Sequence, residues 1–270
     1  MASDVVSLKY RGRIAVVTLN NPRKLNALTK DGLYLLARSL KEVEKHDEVT
    51  ITLVTGRGRF FSAGADVSVS RQTGPDVDLT RHGLRETVQN TLFISRTFYS
   101  HSKILVTALN GPVVGVAAAL VACSDFIYCL PHAYLLTPFS SLGLVSEGAS
   151  SLMLARRMGW PKANEALIMS RRIPADEMLA CGFVTKIFHT ESGKEDEFLA
   201  AVLVELDDRL GPHLNDSSML SIKSLASSSF RRELDAQNVE EVFRNLERQV
   251  AGIPQKEFEK MRTGQKRHKL

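Results

Sequence analysis

A chain of 270 residues with 44% apolar and 24% charged side chains can bury a sizeable core and is neither disordered nor fibrous in composition. Its net charge of +5 lies in residues 260–270, which carry five Lys or Arg and no acid, so the remainder is neutral and offers no basic groove for nucleic acid. Residues 112–123, the longest near-apolar run, are too few to span a bilayer, and Met1 to Leu8 lacks the basic start and apolar run of a secretory signal.

Residues 5–10 and 13–19, split by Arg11-Gly12, read as a β-hairpin ended by Asn20-Asn21-Pro22. Thr29 is placed to cap a helix running to about residue 44, with Leu33, Leu36, Leu40 and Val43 on one face. A β-branched strand at 49–55 ends at Gly56; a Gly/Ala/Ser-rich loop at 62–66 and a polar, mobile stretch around 70–82 follow. Next come a helix at 84–100, a strand at 104–109 stopped by Asn110-Gly111-Pro112, a small-residue helix at 115–122 and a strand at 126–130. The second half is mainly helical, at 149–158, 161–170, 175–181, 193–210, 216–227 and 231–250, with one strand at 183–188. Strands alternating with helices and then giving way to them predict one α/β domain with a helical C-terminal region. Cys123, Cys129 and Cys181 show no pairing or metal spacing and read as packing residues.

Three segments carry chemistry. In Phe60-Phe-Ser-Ala63-Gly64-Ala65-Asp66, small residues after a strand let a ligand approach the backbone, and the Ala65 N–H could meet a bound oxygen; an ordinary turn looks the same. In Asn110-Gly-Pro-Val-Val-Gly115-Val116-Ala-Ala-Ala119, a helix start leaves N–H groups unsatisfied where the dipole favours negative charge, unless this is simply a packed core helix. In Thr137-Pro-Phe139-Ser-Ser-Leu-Gly-Leu-Val-Ser-Glu147-Gly148, a carboxylate lies among apolar and small residues just before a helix. It is either a catalytic base or an exposed cap.

This ordered set, with Asn21-Pro-Arg-Lys-Leu-Asn-Ala-Leu28, Ser124-Asp125 and Gly182-Phe-Val, resembles the crotonase (enoyl-CoA hydratase/isomerase) superfamily from about residue 10 to residue 190. The resemblance implies an α/β spiral of repeated ββα units, with a core at 1–200, a C-terminal helical trimerisation region at 201–263 and a basic tail at 264–270. It implies a homotrimer or hexamer, no metal, and no cofactor beyond the coenzyme A carried by the fatty acyl-CoA substrate. It also implies that the Ala65 and Val116 N–H groups form an oxyanion hole for the thioester carbonyl, with Ala63, Gly64, Asp66, Gly115 and Phe139 lining the substrate. Coenzyme A would lie across the loop after residue 21, where Arg23 or Lys24 meets its phosphates or adenine or forms a solvated basic pair.

Hydratases of this superfamily hold a water with two glutamates, and the matching positions here are Ala119 and Phe139, neither able to carry a proton. The segment around Glu147 resembles instead the peroxisomal Δ3,Δ2-enoyl-CoA isomerases, whose glutamate is the base. The expectation is that Glu147 takes a proton from C2 of a 3-cis- or 3-trans-enoyl-CoA and returns it at C4, giving the 2-trans product of fatty acid β-oxidation. An apolar wall of Phe139, Leu142, Leu144 and Val145 would raise the Glu147 pKa and exclude water. The alternatives are a dienoyl-CoA isomerase, whose family uses further acids and for which Asp66 is the acid nearest the loops, and a non-catalytic acyl-CoA- or RNA-binding homologue. The terminal His268-Lys269-Leu270 resembles a peroxisomal address read by an import receptor, which implies the peroxisome matrix.

Overall fold

The computed structural model describes residues 5–66, 77–190 and 193–267, so part of the expected mobile stretch and the terminal tripeptide lie outside the described residues. The hairpin forms as expected: β1 (Val6–Arg11) and β2 (Ile14–Leu19) pair antiparallel, with Val6 opposite Leu19. Thr29 Oγ1 accepts the Gly32 N–H at 3.1 Å and caps α1 (Lys30–Val43), which buries Leu36, Ala37, Leu40 and Val43. After β3 (Ile51–Gly56), α2 (Leu79–Gly83) starts earlier than the sequence suggests because the Asp78 side chain accepts the Arg81 N–H. A π-helical turn at Leu84–Val88 joins it to α3 (Gln89–Tyr99).

The chain continues through β4 (Ile104–Leu109), β5 (Val113–Val114), α4 (Val116–Val121), β6 (Phe126–Cys129), β7 (Tyr134–Leu136), α5 (Ser150–Met158) and α6 (Trp160–Leu167). It ends with β8 (Ile173–Pro174), α7 (Ala175–Ala180), β9 (Lys186–Ile187), α8 (Glu195–Arg209), α9 (Asp216–Ser228), α10 (Arg231–Val250) and α11 (Ile253–Arg262). The main sheet has the order β1-β2-β3-β4-β6-β9 and is parallel after the hairpin; β5-β7-β8 make a second, small sheet. Successive turns of the chain place one strand in the main sheet, one strand or bridge in the small sheet and then a helix, as in β4-β5-α4 and β6-β7-α5. This is the spiral of ββα turns that the sequence implied.

Strands β2, β3 and β4 are apolar on both faces because both are covered. On one side Val17, Val54, Leu105 and Leu109 pack with α1, α3 and α4. On the other, Ile14, Ile51, Leu53 and Val106 meet Phe198, Val202 and Leu206 of α8, a helix that runs through residue 200. The expected strand at 183–188 shrinks to β9: Phe183 and Val184 leave the ladder for the core, and the Val184 N–H bonds the Met178 carbonyl at 3.0 Å. Burial pushes the Cys123 and Cys129 thiols up to about 12, so both stay protonated as packing groups. Among the described residues no helix is long and apolar enough to cross a membrane.

Candidate active site

The turn at 56–60 that leads into the 62–66 loop is held by two buried asparagines whose importance the sequence did not reveal. Asn26 donates to the Arg57 and Phe60 carbonyls at 2.8 and 2.9 Å and accepts the Asn21 N–H at 2.8 Å. Asn110 donates to the Gly58 and Phe60 carbonyls at 2.6 and 3.2 Å and accepts the Gly56 N–H at 3.1 Å. Each is 1% exposed, so every polar atom of the amide needs a partner and finds one. The sequence had marked Asn110 as part of a strand stop and Asn26 only as part of the Asn21-to-Leu28 motif. The added signal is that each precedes or follows a strand end where several backbone groups lack ladder partners.

Within the loop the amides are spent one by one. The Ala63 N–H bonds the Leu25 carbonyl at 2.9 Å, the Gly64 N–H bonds Ser62 Oγ at 3.1 Å, and the Asp66 N–H bonds the Leu28 carbonyl at 2.9 Å. Among the described residues no acceptor takes the Ala65 N–H. Gly64 has φ +86°, and a Cβ there would stand 2.7 Å from the Val114 carbonyl oxygen, so only glycine permits this approach. The contact presses the loop against Val114-Gly115, the residues that lead into α4. The Gly115 N–H is taken by the Leu136 carbonyl at 2.8 Å, and Val116 is the first residue of α4, where no intrahelical acceptor exists for its N–H. The predicted pair, Ala65 and Val116, is therefore brought together by direct backbone packing.

Arg23 and Lys24 lie in an exposed 3-10 turn, Pro22–Lys24, on the flank of the same loop. Lys24 Nζ lies 3.0 Å from Asp66 Oδ2; the carboxylate is 6% exposed and the lysine 56%. The turn and the end of the loop are thus tied by charge, with the lysine still open to solvent.

The third segment reaches the same place from the other side of α4. Glu147 is half-buried and precedes Gly148 (φ +75°) and Ala149 (φ +58°). A Cβ on Gly148 would meet Ala119 Cβ at 3.0 Å and Ser95 Oγ at 3.8 Å, so this segment lies along α4 one turn beyond Val116. Ala119 is fully buried and Phe139 is 3% exposed, leaving no acid at either of the two positions expected for a hydratase. Leu142, Leu144 and Val145 are half-buried, and a cavity of about 370 Å³ lined by Phe139, Leu144, Val145, Ala155 and Leu167 opens beside them.

The N-cap of α5 is Ala149, without a side-chain cap, and the Ser151 N–H is instead accepted by Glu241 Oε1 of α10 at 2.9 Å. Sequence reasoning gave a helix at 231–250 and singled out neither Glu241 nor Asn245. Both fall in the i, i+4 stripe that also holds Leu234, Asn238, Val242 and Leu246, all buried, which was a sign of an inward-facing polar row.

Comparison with known proteins matches residues 9–265 to the enoyl-CoA hydratase/isomerase family. The chain is 52% identical over 279 aligned positions to a Delta(3,5)-Delta(2,4)-dienoyl-CoA isomerase of Pyricularia oryzae, spanning 99% of this chain and 100% of the relative. It is 32% identical to the 3,2-trans-enoyl-CoA isomerase of Saccharomyces cerevisiae, over 99% of this chain and 98% of the relative. A crystal structure of an enoyl-CoA hydratase/isomerase from Pseudoalteromonas atlantica T6c superposes with a TM-score of 0.83 at 24% identity, over 98% of this chain and 100% of the other. That last likeness concerns the fold.

Proposed function

Because the chain belongs to the enoyl-CoA hydratase/isomerase family, we propose that it is an acyl-CoA isomerase whose preferred reaction converts a 3,5-dienoyl-CoA to the 2,4-dienoyl-CoA. The sequence had put the 3-to-2 shift of a single double bond first; the whole-length likeness to a dienoyl-CoA isomerase moves the weight to the conjugated shift. The observation that carries an isomerase over a hydratase is the pairing of acid-free Ala119 and Phe139 with a half-buried Glu147 against the same helix.

The reaction needs an acceptor for the C2 proton, stabilisation of the charge left on the thioester oxygen, and a donor at the far end of the conjugated system. The Ala65 and Val116 amides would receive the oxyanion, each contributing about 3 kcal/mol as donors do in comparable sites. Glu147 would break the C2–H bond. The C2–H electron pair becomes the C2–C3 double bond of the product, the C3–C4 pair shifts to C4–C5, and the C5–C6 pair takes up a proton at C6. Arg23 and Lys24 would meet the phosphates of coenzyme A, and the apolar cavity beside Leu144 suits the hydrocarbon tail.

A second reading, the 3-to-2 isomerisation, keeps support from the single carboxylate. C4 lies half as far from C2 as C6 does, so one glutamate reaches both carbons more easily in that reaction; in the longer shift the candidate acid for the second step is Asp66, held by Lys24. Assaying one preparation on 3,5-octadienoyl-CoA and 3-octenoyl-CoA, with 2-octenoyl-CoA hydration as control, separates the readings. Faster turnover of the diene supports the proposal, faster turnover of the monoene moves it to the second reading, and hydration alone ends both.

The exposed apolar side chains Trp160, Ile168 and Met169 around α6, and Ile222 and Leu225 on α9, support a homotrimer or a stack of two trimers, measurable by light scattering. Peroxisomal import through His268-Lys269-Leu270 is the matching address; a fluorescent fusion that stays cytosolic with the tripeptide intact would remove it.

A further inference from the structure

One face of α10 holds the segment that carries Glu147. Gln237, Glu241, Asn245 and Arg248 follow one another at intervals of four, four and three residues, which stacks them on one side of the helix. Gln237 Nε2 donates to Ser151 Oγ at 2.7 Å, and Glu241 Oε1 accepts both the Ser151 N–H, at 2.9 Å, and the Ser151 hydroxyl. Asn245 Oδ1 accepts the Val145 N–H at 3.0 Å, while its Nδ2 donates to the Val145 and Ser146 carbonyls at 3.2 and 3.0 Å. Arg248 Nε donates to the Gly143 carbonyl at 2.6 Å. Glu241 and Asn245 are 3% and 4% exposed. Burial pushes the Glu241 carboxyl up, against the downward pull of the Ser151 hydroxyl and the backbone N–H groups of 149–151.

Glu147 sits between these two attachments, one residue after Ser146 and four before Ser151. The two residues following it, Gly148 and Ala149, both adopt left-handed φ, a conformation that an alanine keeps only under outside restraint. An acid just before a helix ordinarily folds onto the free N–H groups of its first turn. Here Glu241 already occupies that place. Removing it would both slacken the segment and offer Glu147 a competing site on α5.

We propose that Glu241 and Asn245 are positioning residues for Glu147: Glu241 caps α5, Asn245 straps 145–146, and together they fix the backbone that carries the catalytic carboxyl beside α4. The kinetic part of this proposal rests on the isomerase reading above. Glu241→Ala, Glu241→Gln and Asn245→Ala are compared with the wild type by steady-state kinetics on the better of the two isomerase substrates, and by amide hydrogen exchange across 143–152.

The expected result for Glu241→Ala and Asn245→Ala is a fall in kcat of about tenfold to a hundredfold with KM nearly unchanged, since neither residue touches the coenzyme A loop. Exchange should quicken at 145–152 while the main sheet stays protected. Glu241→Gln, whose amide oxygen still accepts the Ser151 N–H, should recover most of kcat. A Glu241→Ala enzyme with wild-type kcat, a Gln variant as poor as the Ala variant, or a rise in KM matching the fall in kcat would overturn the proposal. Should Glu241→Ala fail to fold, Asn245→Ala carries the same test. Wild-type inactivity on both isomerase substrates would instead sink the isomerase reading, and unchanged exchange at Ser151 in Glu241→Ala would sink the clamp whatever the activity.

Discussion

Gly148 and Ala119 are in contact across the site: a Cβ on the glycine would lie 3.0 Å from the alanine Cβ, so the segment bearing Glu147 rests directly on α4. A glutamate at 119 would grow from a Cβ already packed against Gly148, and Ala119 is fully buried. Installing the missing hydratase acid with Ala119→Glu should therefore not create a hydratase. Overpacking costs about 1–3 kcal/mol, a buried carboxyl adds to it, and isomerisation should fall as the segment is displaced. Thermal melts and a hydration assay on 2-enoyl-CoA check this; wild-type melting with new hydratase activity would contradict it.

On the proposed reading, Glu147→Gln removes the proton carrier while keeping the length of the side chain. The amides of Ala65 and Val116 and the 22–24 turn belong to other segments, so acyl-CoA should still bind, as titration calorimetry would measure. Turnover should fall by about 10² to 10⁴, the usual contribution of a positioned acid–base group. Retained turnover would take Glu147 out of the mechanism.

What the sequence made legible follows from the range of the forces involved. The strands of the main sheet were visible because burial on both faces leaves apolar runs such as Ile14–Leu19 and Ile104–Leu109. The two loops stood out because close backbone approach demands small residues, which Gly64 and Gly115 satisfy. The small sheet was missed because β5 and β8 are two residues long and β7 three, too short for any period to show. The bond from Glu241 to the start of α5 was missed for a different reason. Local preference assigns the cap to the acid beside the helix, whereas the acid that takes it lies ninety residues away from Ser151 in the chain. The choice between one and two migrating double bonds was not legible from a single carboxylate, since the other acid beside the loops, Asp66, is paired with Lys24.

Gly64→Ala tests the backbone contact that joins the two loops. A non-glycine residue at φ +86° costs about 1–3 kcal/mol. Its Cβ would also meet the Val114 carbonyl at 2.7 Å, and backbone cannot move aside as a flexible side chain can. Displacing the Ala65 N–H from the developing oxyanion should lower kcat by about 10² or more. Stopped-flow measurement of the chemical step reads this directly, and an unchanged step with lowered stability would restrict Gly64 to folding.

Glu44, far from the site, sets an acid limit on stability. It ends α1, where its carboxylate accepts Lys41 Nζ at 2.8 Å and the Ser102 N–H at 3.1 Å and lies 3.3 Å from His101 Nδ1. Burial pushes Glu44 up, but the bonds from His101, Lys41 and Ser102 together outweigh it and bring the group down to about 2. His101 itself is pushed down by burial, so the lowering of Glu44 owes more to the bonds it accepts than to a full histidine charge. A folded value below the ordinary 4.5 means that the unfolded chain binds the proton more readily. The stabilisation is complete above about pH 4.5 and is lost as pH falls toward 2. After allowance for solvent screening at a half-buried group, Glu44→Gln should cost about 1–2 kcal/mol at neutral pH. That cost should shrink steadily through the acid window as the wild-type carboxylate is itself protonated. Urea unfolding of both proteins across the window measures it, and a difference that stays constant down to pH 2 would show that Glu44 contributes through shape rather than charge.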